Sequence, residues 1–402
     1  MAKKRGNGEG TIFHRKDGSW QGQITTGRDS KGKPKRETFY GKTRSEVAEK
    51  LNKKLNDLMT GNHVEPNKVT VEQWFDNWLW QYKKLKLRPN TFTSYEQNIR
   101  IHIKPALGHY LLQELKADHI QRLINDKLEN GRADKKGGLS PSSVIKINNI
   151  IQECLDQAVK NQLLIKNVCE LTELPALGEK DVRVFTLVEQ EKFMDVIQGD
   201  RLEAAFLLDL ATGLRIGELI ALRWKDVNLE TGVLKVTQSL NRVKDFNCKK
   251  NPKTVLKFGE IKTKSGKRSI PIPQNVVDIM KEYAAVQENE KQDTDDLYED
   301  KNLVFCTELG KPIEPRNMMR KFYSFIHKAA IPKANFHSMR HTFATRALEA
   351  GIHPKVVQEM LGHANIAITL NTYSHALPET KKAAAEQLNY LFDRKKKPDE
   401  EE

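Results

Sequence analysis

Cysteine is scarce and scattered: Cys154, Cys169, Cys248 and Cys306 are the only four in 402 residues, and no two share a CxxC spacing. That pattern speaks against a disulfide framework or a cysteine zinc site, and for reduced thiols in a cytoplasm. Long apolar runs are missing as well. None reaches the roughly 18–20 residues that span a bilayer, so no membrane association is expected. The first ten residues, MAKKRGNGEG, are basic but have no apolar stretch behind them, unlike a secretory signal. There is no glycine-rich phosphate loop, no HExxH, and no carboxylate pattern of a two-metal nuclease. No cofactor and no metal are expected. No internal repeat is found.

What is present is a polar, folded chain, 38% hydrophobic and 30% charged. Its length exceeds one ordinary core and predicts two to three domains. The net charge is +14, and it is uneven: residues 1–68 carry 16 Lys+Arg against 8 Asp+Glu, whereas residues 69–178 carry 15 against 12. A basic surface gathered at the front favours a polyanion, through phosphate contacts and counterion release. The competing reading is a bias that only keeps the chain soluble.

The expected architecture is multidomain α+β. Residues 1–10 read as a polar arm. From Gly10 to Tyr40, short β-prone runs alternate with turns at Asp17-Gly18 and Ser30-Lys31-Gly32, which predicts a three-stranded sheet. Residues 43–60 place Val47, Leu51, Leu55 and Leu58 at helical spacing, with Thr43 or Ser45 as N-cap. Trp20 is expected in the core of this sheet rather than stacked on a base. A sheet of this size fits a major groove, and Arg28, Lys33, Lys35 and Arg36 lie on its exposed strands. Residues 61–68 read as a linker.

From Val69 to about Pro175 the pattern predicts four helices. The second starts at Thr91 and stops before Pro105; the fourth has Ser140 as N-cap and Pro141 in its first turn. Lys83, Lys84, Lys86 and Arg88 form a basic cluster, either a solvated face or part of a DNA clamp. After a linker at 176–184 comes a longer, mainly helical domain with a small antiparallel sheet. A buried helix, RLEAAFLLDLAT, breaks at Gly213, and a second, IGELIALRW, follows Arg215. Strands are expected at VLKVTQSL, VLKFGEI and RSIPIP, the last two forming a hairpin that carries Lys262, Lys264, Lys267 and Arg268. Helices are expected at 274–291, 316–330 and 379–392, with a disordered charged tail at 393–402.

The chemistry gathers between His337 and His375. His337 and Arg340 form H-x-x-R, His363 follows a leucine-glycine pair, and Tyr373 lies ten residues beyond it. Gly351 is placed to end the first helix of this stretch, Pro354 to open the next and Gly362 to end it. Arginine offers a rigid fork of donors that matches phosphate oxygens. Phosphoryl transfer without a metal needs such preorganised cations. A tyrosine can then be the nucleophile, activated by its neighbours, and a lysine can protonate the leaving oxygen. His341 reads as structural more readily than catalytic; His375 is undecided. Four histidines, 337, 341, 363 and 375, could be imagined around a metal, but Arg340 among them would repel a cation.

Four motifs now combine: ATGLRIGEL at 211–219, IKTKSGKRSIPI at 261–272, HSMRHTFAT at 337–345 and LGHANIAITLNTYSH at 361–375. Together they resemble the tyrosine recombinases, the phage-integrase family, and in particular integrases of temperate phages and conjugative transposons. The resemblance covers nearly the whole chain. It implies that Arg215, Lys262, His337, Arg340, His363 and Tyr373 are catalytic, with Glu218 supporting Arg215; Lys264, two residues from Lys262, is the alternative lysine. It implies an arm-type DNA-binding domain at 1–62, a helical core-binding domain at 69–175 and a catalytic domain at 180–392.

The activity implied is site-specific strand exchange on double-stranded DNA at core and arm sites. It would proceed through a 3′-phosphotyrosyl intermediate and a four-way junction, in a homo-tetramer. An excision factor and a host DNA-bending protein are the implied accessory partners, in a bacterial cytoplasm. Helix 379–392 would dock either on its own domain or on a neighbouring subunit. Two rival readings compete with this one: a type IB topoisomerase, which has little use for a second DNA address, and a non-catalytic regulator, which leaves the Arg-Lys-His-Arg-His-Tyr set without a purpose.

Overall fold

A computed structural model describes residues 10–28, 32–59, 68–132, 134, 136–178, 182–246, 254–261 and 265–373. Two compact units divide the chain, Met1–Gly178 and Glu179–Glu402. Cys248, the expected helix at 379–392 and the tail at 393–402 lie outside the described residues.

The first unit opens with an antiparallel sheet in the order β1 (Thr11–His14), β2 (Trp20–Arg28), β3 (Pro34–Gly41), followed by α1 (Arg44–Met59). Gly18, at φ 83°, makes the first turn. Thr43 caps α1, its Oγ1 accepting from the Glu46 N–H at 3.2 Å. The helix packs Val47 and Leu51 onto Ile24, all three buried. Trp20 is not in that centre. It shares the helix-facing side of β2 but sits at its end, half-buried, edge-on to His14 with ring centroids 4.9 Å apart. On the opposite face Phe13, Gln21 and Tyr40 form one row across the three strands.

Four helical runs follow. The first is α2 (Val71–Asn77), closed by a Thr70/Gln73 capping box and extended by a π-turn at Trp78–Lys83. The second is α3 (Pro89–Asn98), a π-turn at Ile99–Ile103, and α4 (Lys104–Leu107). The third and fourth are α5 (Ala117–Asn130) and α6 (Pro141–Lys160), the latter capped by Ser140. The second run departs from expectation at both ends. It begins at Pro89, whose fixed φ suits a first turn. It also passes through Pro105, because the wide turn bonds the Lys104 N–H back to the Ile99 carbonyl and relieves the clash a proline makes in an α-helix.

The second unit holds α7 (Leu187–Ile197), α8 (Glu203–Thr212), α9 (Ile216–Leu219), β4 (Val227–Asn228), β5 (Val233–Val236), β6 (Gln238–Lys244), β7 (Thr254–Glu260) and β8 (Arg268–Pro271). It continues with α10 (Gln274–Thr294), α11 (Pro315–Lys328), α12 (His337–Glu349), α13 (Pro354–Leu361) and α14 (Ile366–Tyr373). Phe193, Phe206, Phe322, Phe325 and Phe336 form its aromatic centre, with Phe206 edge-on to Phe325 at 5.3 Å. Against this centre α8 packs between α10 and α12.

Two expectations are corrected here. The helix read over IGELIALRW is one turn only. Leu219, Ile220, Ala221 and Leu222 are all buried, so the segment has no polar side to turn to water, and it straightens into a bridge between Arg223 and Leu303. The single small sheet is two sheets, β4-β5-β8 and β6-β7. β7 and β8 do not pair with each other. β5 and β6 run consecutively along one side of a long bent hairpin, and β7 and β8 along the other. At the join between the two sheets the Thr237 carbonyl accepts from the Ile261 N–H at 3.0 Å. Among the described residues no helix is long and apolar enough to cross a membrane.

Candidate active site

Two left-handed glycines build the floor of the site. Gly213, at φ 60°, ends α8, and Gly362, at φ 67°, ends α13. Only glycine takes this conformation without Cβ strain. Space forbids a side chain too: a Cβ at Gly213 would stand 2.6 Å from Phe343 Cδ1, and one at Gly362 2.7 Å from the Ser265 carbonyl oxygen. Carbonyls at these ends lack helical partners. Arg340, in the first turn of α12, takes one from each. Its Nη1 donates to Gly213 O and its Nη2 to Leu361 O, both at 2.6 Å. Arg340 is 1% exposed, so the negative ends of two helices converge on a buried cation.

Arg215 stands just past Gly213, as N-cap of α9. Its Nη1 donates to Glu218 Oε1 at 2.7 Å and its backbone N–H to Glu218 Oε2 at 3.1 Å. Glu218 also receives Arg268 Nη2 at 2.8 Å. Burial alone would raise the Glu218 pKa, but Arg268 and then Arg215 outweigh it and hold the carboxyl below its ordinary value. Arg268 further donates from Nε to Met360 O at 2.6 Å, tying β8 to the end of α13. Sequence reasoning treated Arg268 only as one more basic residue of the hairpin. The available clue was alternation: Arg268, Ile270 and Ile272 share one face of the strand, and both isoleucines are buried.

His337, His341 and His363 all have pKa values pushed down to about 4. Burial is the largest cause for each. For His337 and His363 the charges of Arg340 and then Arg215 add to it; for His341 the neighbours are His337 and Arg340. The structure thus brings Arg215, His337, Arg340 and His363 into one electropositive cluster. His341 sits edge-on to His337 with ring centroids 4.6 Å apart. Because an unfolded histidine titrates near 6.5, the unfolded chain binds these protons first as pH falls. Stability is therefore full above about pH 6.5 and is lost as pH drops toward 4. Ring-proton NMR should place all three midpoints well below 6; midpoints near 6.5 would contradict the cluster.

Tyr373 closes α14, of which only the backbone is described at that position. Lys262, Lys264 and His375 lie outside the described residues. Asp209 was not singled out from sequence. It lies fully buried on α8, neither oxygen has a hydrogen-bond partner among the described residues, and burial raises its pKa well above the usual value against the pull of Arg340.

The profile of the phage integrase family matches residues 183–380, and that of the phage integrase N-terminal SAM-like domain matches residues 70–128. The chain is similar to a tyrosine recombinase XerC-like protein of Caldanaerobacter subterraneus subsp. tengcongensis, 34% identical over 92% of this chain and 95% of that one. It is 27% identical to the transposase from transposon Tn916 of Enterococcus faecalis, over 85% of this chain and 83% of that one. Among solved structures it resembles the transposon Tn1549 integrase in complex with transposon right end DNA: 27% identity, TM-score 0.63, covering 80% of this chain and 99% of that one. A lambda integrase tetramer bound to a Holliday junction shares the fold at 20% identity and TM-score 0.54, over 88% of this chain and 95% of that one. The chain belongs to the phage integrase family and is a tyrosine-type site-specific recombinase.

Proposed function

We propose that the chain integrates and excises a mobile element, with Tyr373 as nucleophile. Its phenolic oxygen attacks the scissile phosphorus, forming a 3′-phosphotyrosyl bond while the bond to the 5′-oxygen breaks. Lys262 protonates that oxygen. Arg215 and Arg340 hold the non-bridging oxygens, His337 accepts the tyrosine proton, and His363 donates a hydrogen bond to a phosphate oxygen. A 5′-hydroxyl of the second duplex then reverses the reaction, so the ester conserves the bond energy and no nucleotide is consumed. The observation that carries this reading is the cluster of Arg215, Arg340, His337 and His363. It is cationic through its arginines and holds its imidazoles neutral, and neutral imidazole is the form that can accept a proton.

Residues 1–62 serve as the arm-binding domain, 69–175 as the core-binding domain and 180–392 as the catalytic domain, on double-stranded DNA. The row of Phe13, Gln21 and Tyr40, with both aromatics exposed, and the basic front of the chain support the first of these. The relative bound to transposon right end DNA and the fold relative seen as a tetramer on a Holliday junction support a homo-tetramer working through that junction. An excision factor and a host DNA-bending protein would set direction, within a bacterial cytoplasm. The test is covalent trapping on a nicked core-site duplex. Wild type should accumulate a protein–DNA adduct and Tyr373→Phe none; equal adduct from both would remove Tyr373 from the role.

A further inference from the structure

Thr369 lies one helical turn before Tyr373 on α14, at i,i+4. Its side chain is 0% exposed, and its Oγ1 stands 2.9 Å from Nδ1 of His363. A buried threonine in a helix usually returns its proton to the carbonyl four residues back. Among the described residues Thr369 has no such bond, and His363 is its one hydrogen-bond partner. The backbone of His363 is fixed as well: its N–H donates to Gln358 O at 3.1 Å, and Gln358 Nε2 donates to its carbonyl at 2.5 Å.

A hydroxyl carries one proton. Were Oγ1 to accept from an Nδ1–H, its own proton would have no acceptor in a place closed to water, an arrangement buried hydroxyls avoid. If it donates instead, Nδ1 is the acceptor and both groups are satisfied. Burial, Arg340 and Arg215 keep the imidazole neutral at working pH, so the ring has a single proton to place. With Nδ1 taken as acceptor, that proton is on Nε2. A phosphate oxygen needs a donor there; a lone pair would repel it.

We propose that Thr369 is a positioning residue that holds His363 in the Nε2–H tautomer and so links this donor to the helix carrying Tyr373. The proposal rests on the reading of His363 as a donor to phosphate. It has a consequence for timing: a shift of α14 moves the hydroxyl as well as the tyrosine, so His363 is set as a donor only when the nucleophile helix is docked.

The test uses the full-length protein on a nicked core-site duplex, with Thr369→Val, Thr369→Ser, His363→Ala and the Thr369→Val/His363→Ala double variant. Valine keeps the branched shape without the hydroxyl; serine keeps the hydroxyl. Thr369→Val should slow cleavage about 10- to 100-fold and Thr369→Ser by less than about 3-fold, with the double variant no slower than His363→Ala. Wild-type cleavage by Thr369→Val, equal losses from valine and serine, or a double variant showing the product of both losses would each overturn the proposal. The tautomer is read directly by two-bond ¹⁵N–¹H correlations of His363 in the wild-type protein, so the question does not depend on the folding of any variant. An Nδ1–H pattern sinks the proposal. His363→Ala cleaving like wild type sinks instead the reading of His363 as phosphate donor, while the tautomer still decides what Thr369 does.

Discussion

Glu218→Gln is expected to destabilise the second unit by about 3–5 kcal/mol and to slow core-site cleavage by more than about 100-fold. Glu218 is shared by two arginines, Arg215 and Arg268, and the side chains of Glu218 and Arg268 are 6% and 5% exposed. Glutamine keeps the shape but loses the charge and presents an NH₂ to one of the two guanidiniums. Arg268 would then be a buried cation without its counter-ion, which costs far more than a surface pair contributes. Arg215 would lose the acceptor that aims it. The pH dependence separates these effects from simple cavity damage. The Glu218 pKa is lowered on folding, so its stabilisation is present above the unfolded value near 4.5 and is lost as pH falls through the folded value. Urea melts at pH 7 and below pH 4 should differ by less in the variant than in wild type. A variant as stable as wild type at pH 7 would show that Arg268 is held by main-chain carbonyls alone.

What could be read from the residues follows from how local the cause was. Gly213 and Gly362 announce helix ends because φ > 0 is a property of single residues, and Arg215 and His363 could be placed just beyond them for that reason. The three-stranded sheet, the Thr43 and Ser140 caps and the four helical runs were legible on the same ground. Pro105 misled because a proline ordinarily ends a helix, whereas here a π-turn over Ile99–Ile103 precedes it and the helical run continues. The IGELIALRW segment misled because an all-apolar run fits a buried helix and a buried extended segment equally. Arg268, Asp209 and Thr369 went unnoticed for a further reason. Arg268 and Asp209 matter through partners far along the chain, Glu218 and Arg340, and Thr369 through His363 six residues back; a motif names residues but not which of them pair.

Arg340→Lys should cost more than any other single conservative change: cleavage lower by about 10³-fold or more, and stability lower by a few kcal/mol. The reason lies in the two carbonyls. Gly213 O and Leu361 O belong to the ends of different helices, and a planar fork reaches both at 2.6 Å. An ammonium is a point donor on a flexible stem. It can satisfy one carbonyl and leave the other buried and unpaired, or sit between them poorly bonded to both. Either way the ends of α8 and α13 are no longer pinned to α12, and with them go the positions of Arg215 beyond Gly213 and His363 beyond Gly362. Arginine here is the clamp that sets the spacing of two other site residues, and in the proposed mechanism it is a phosphate cation as well. The distinction is measurable. If Arg340 were only a charge, lysine would keep DNA binding and melting near wild type and lose cleavage alone; if it is also the clamp, cleavage, melting temperature and the ring-proton shifts of His363 should all change together.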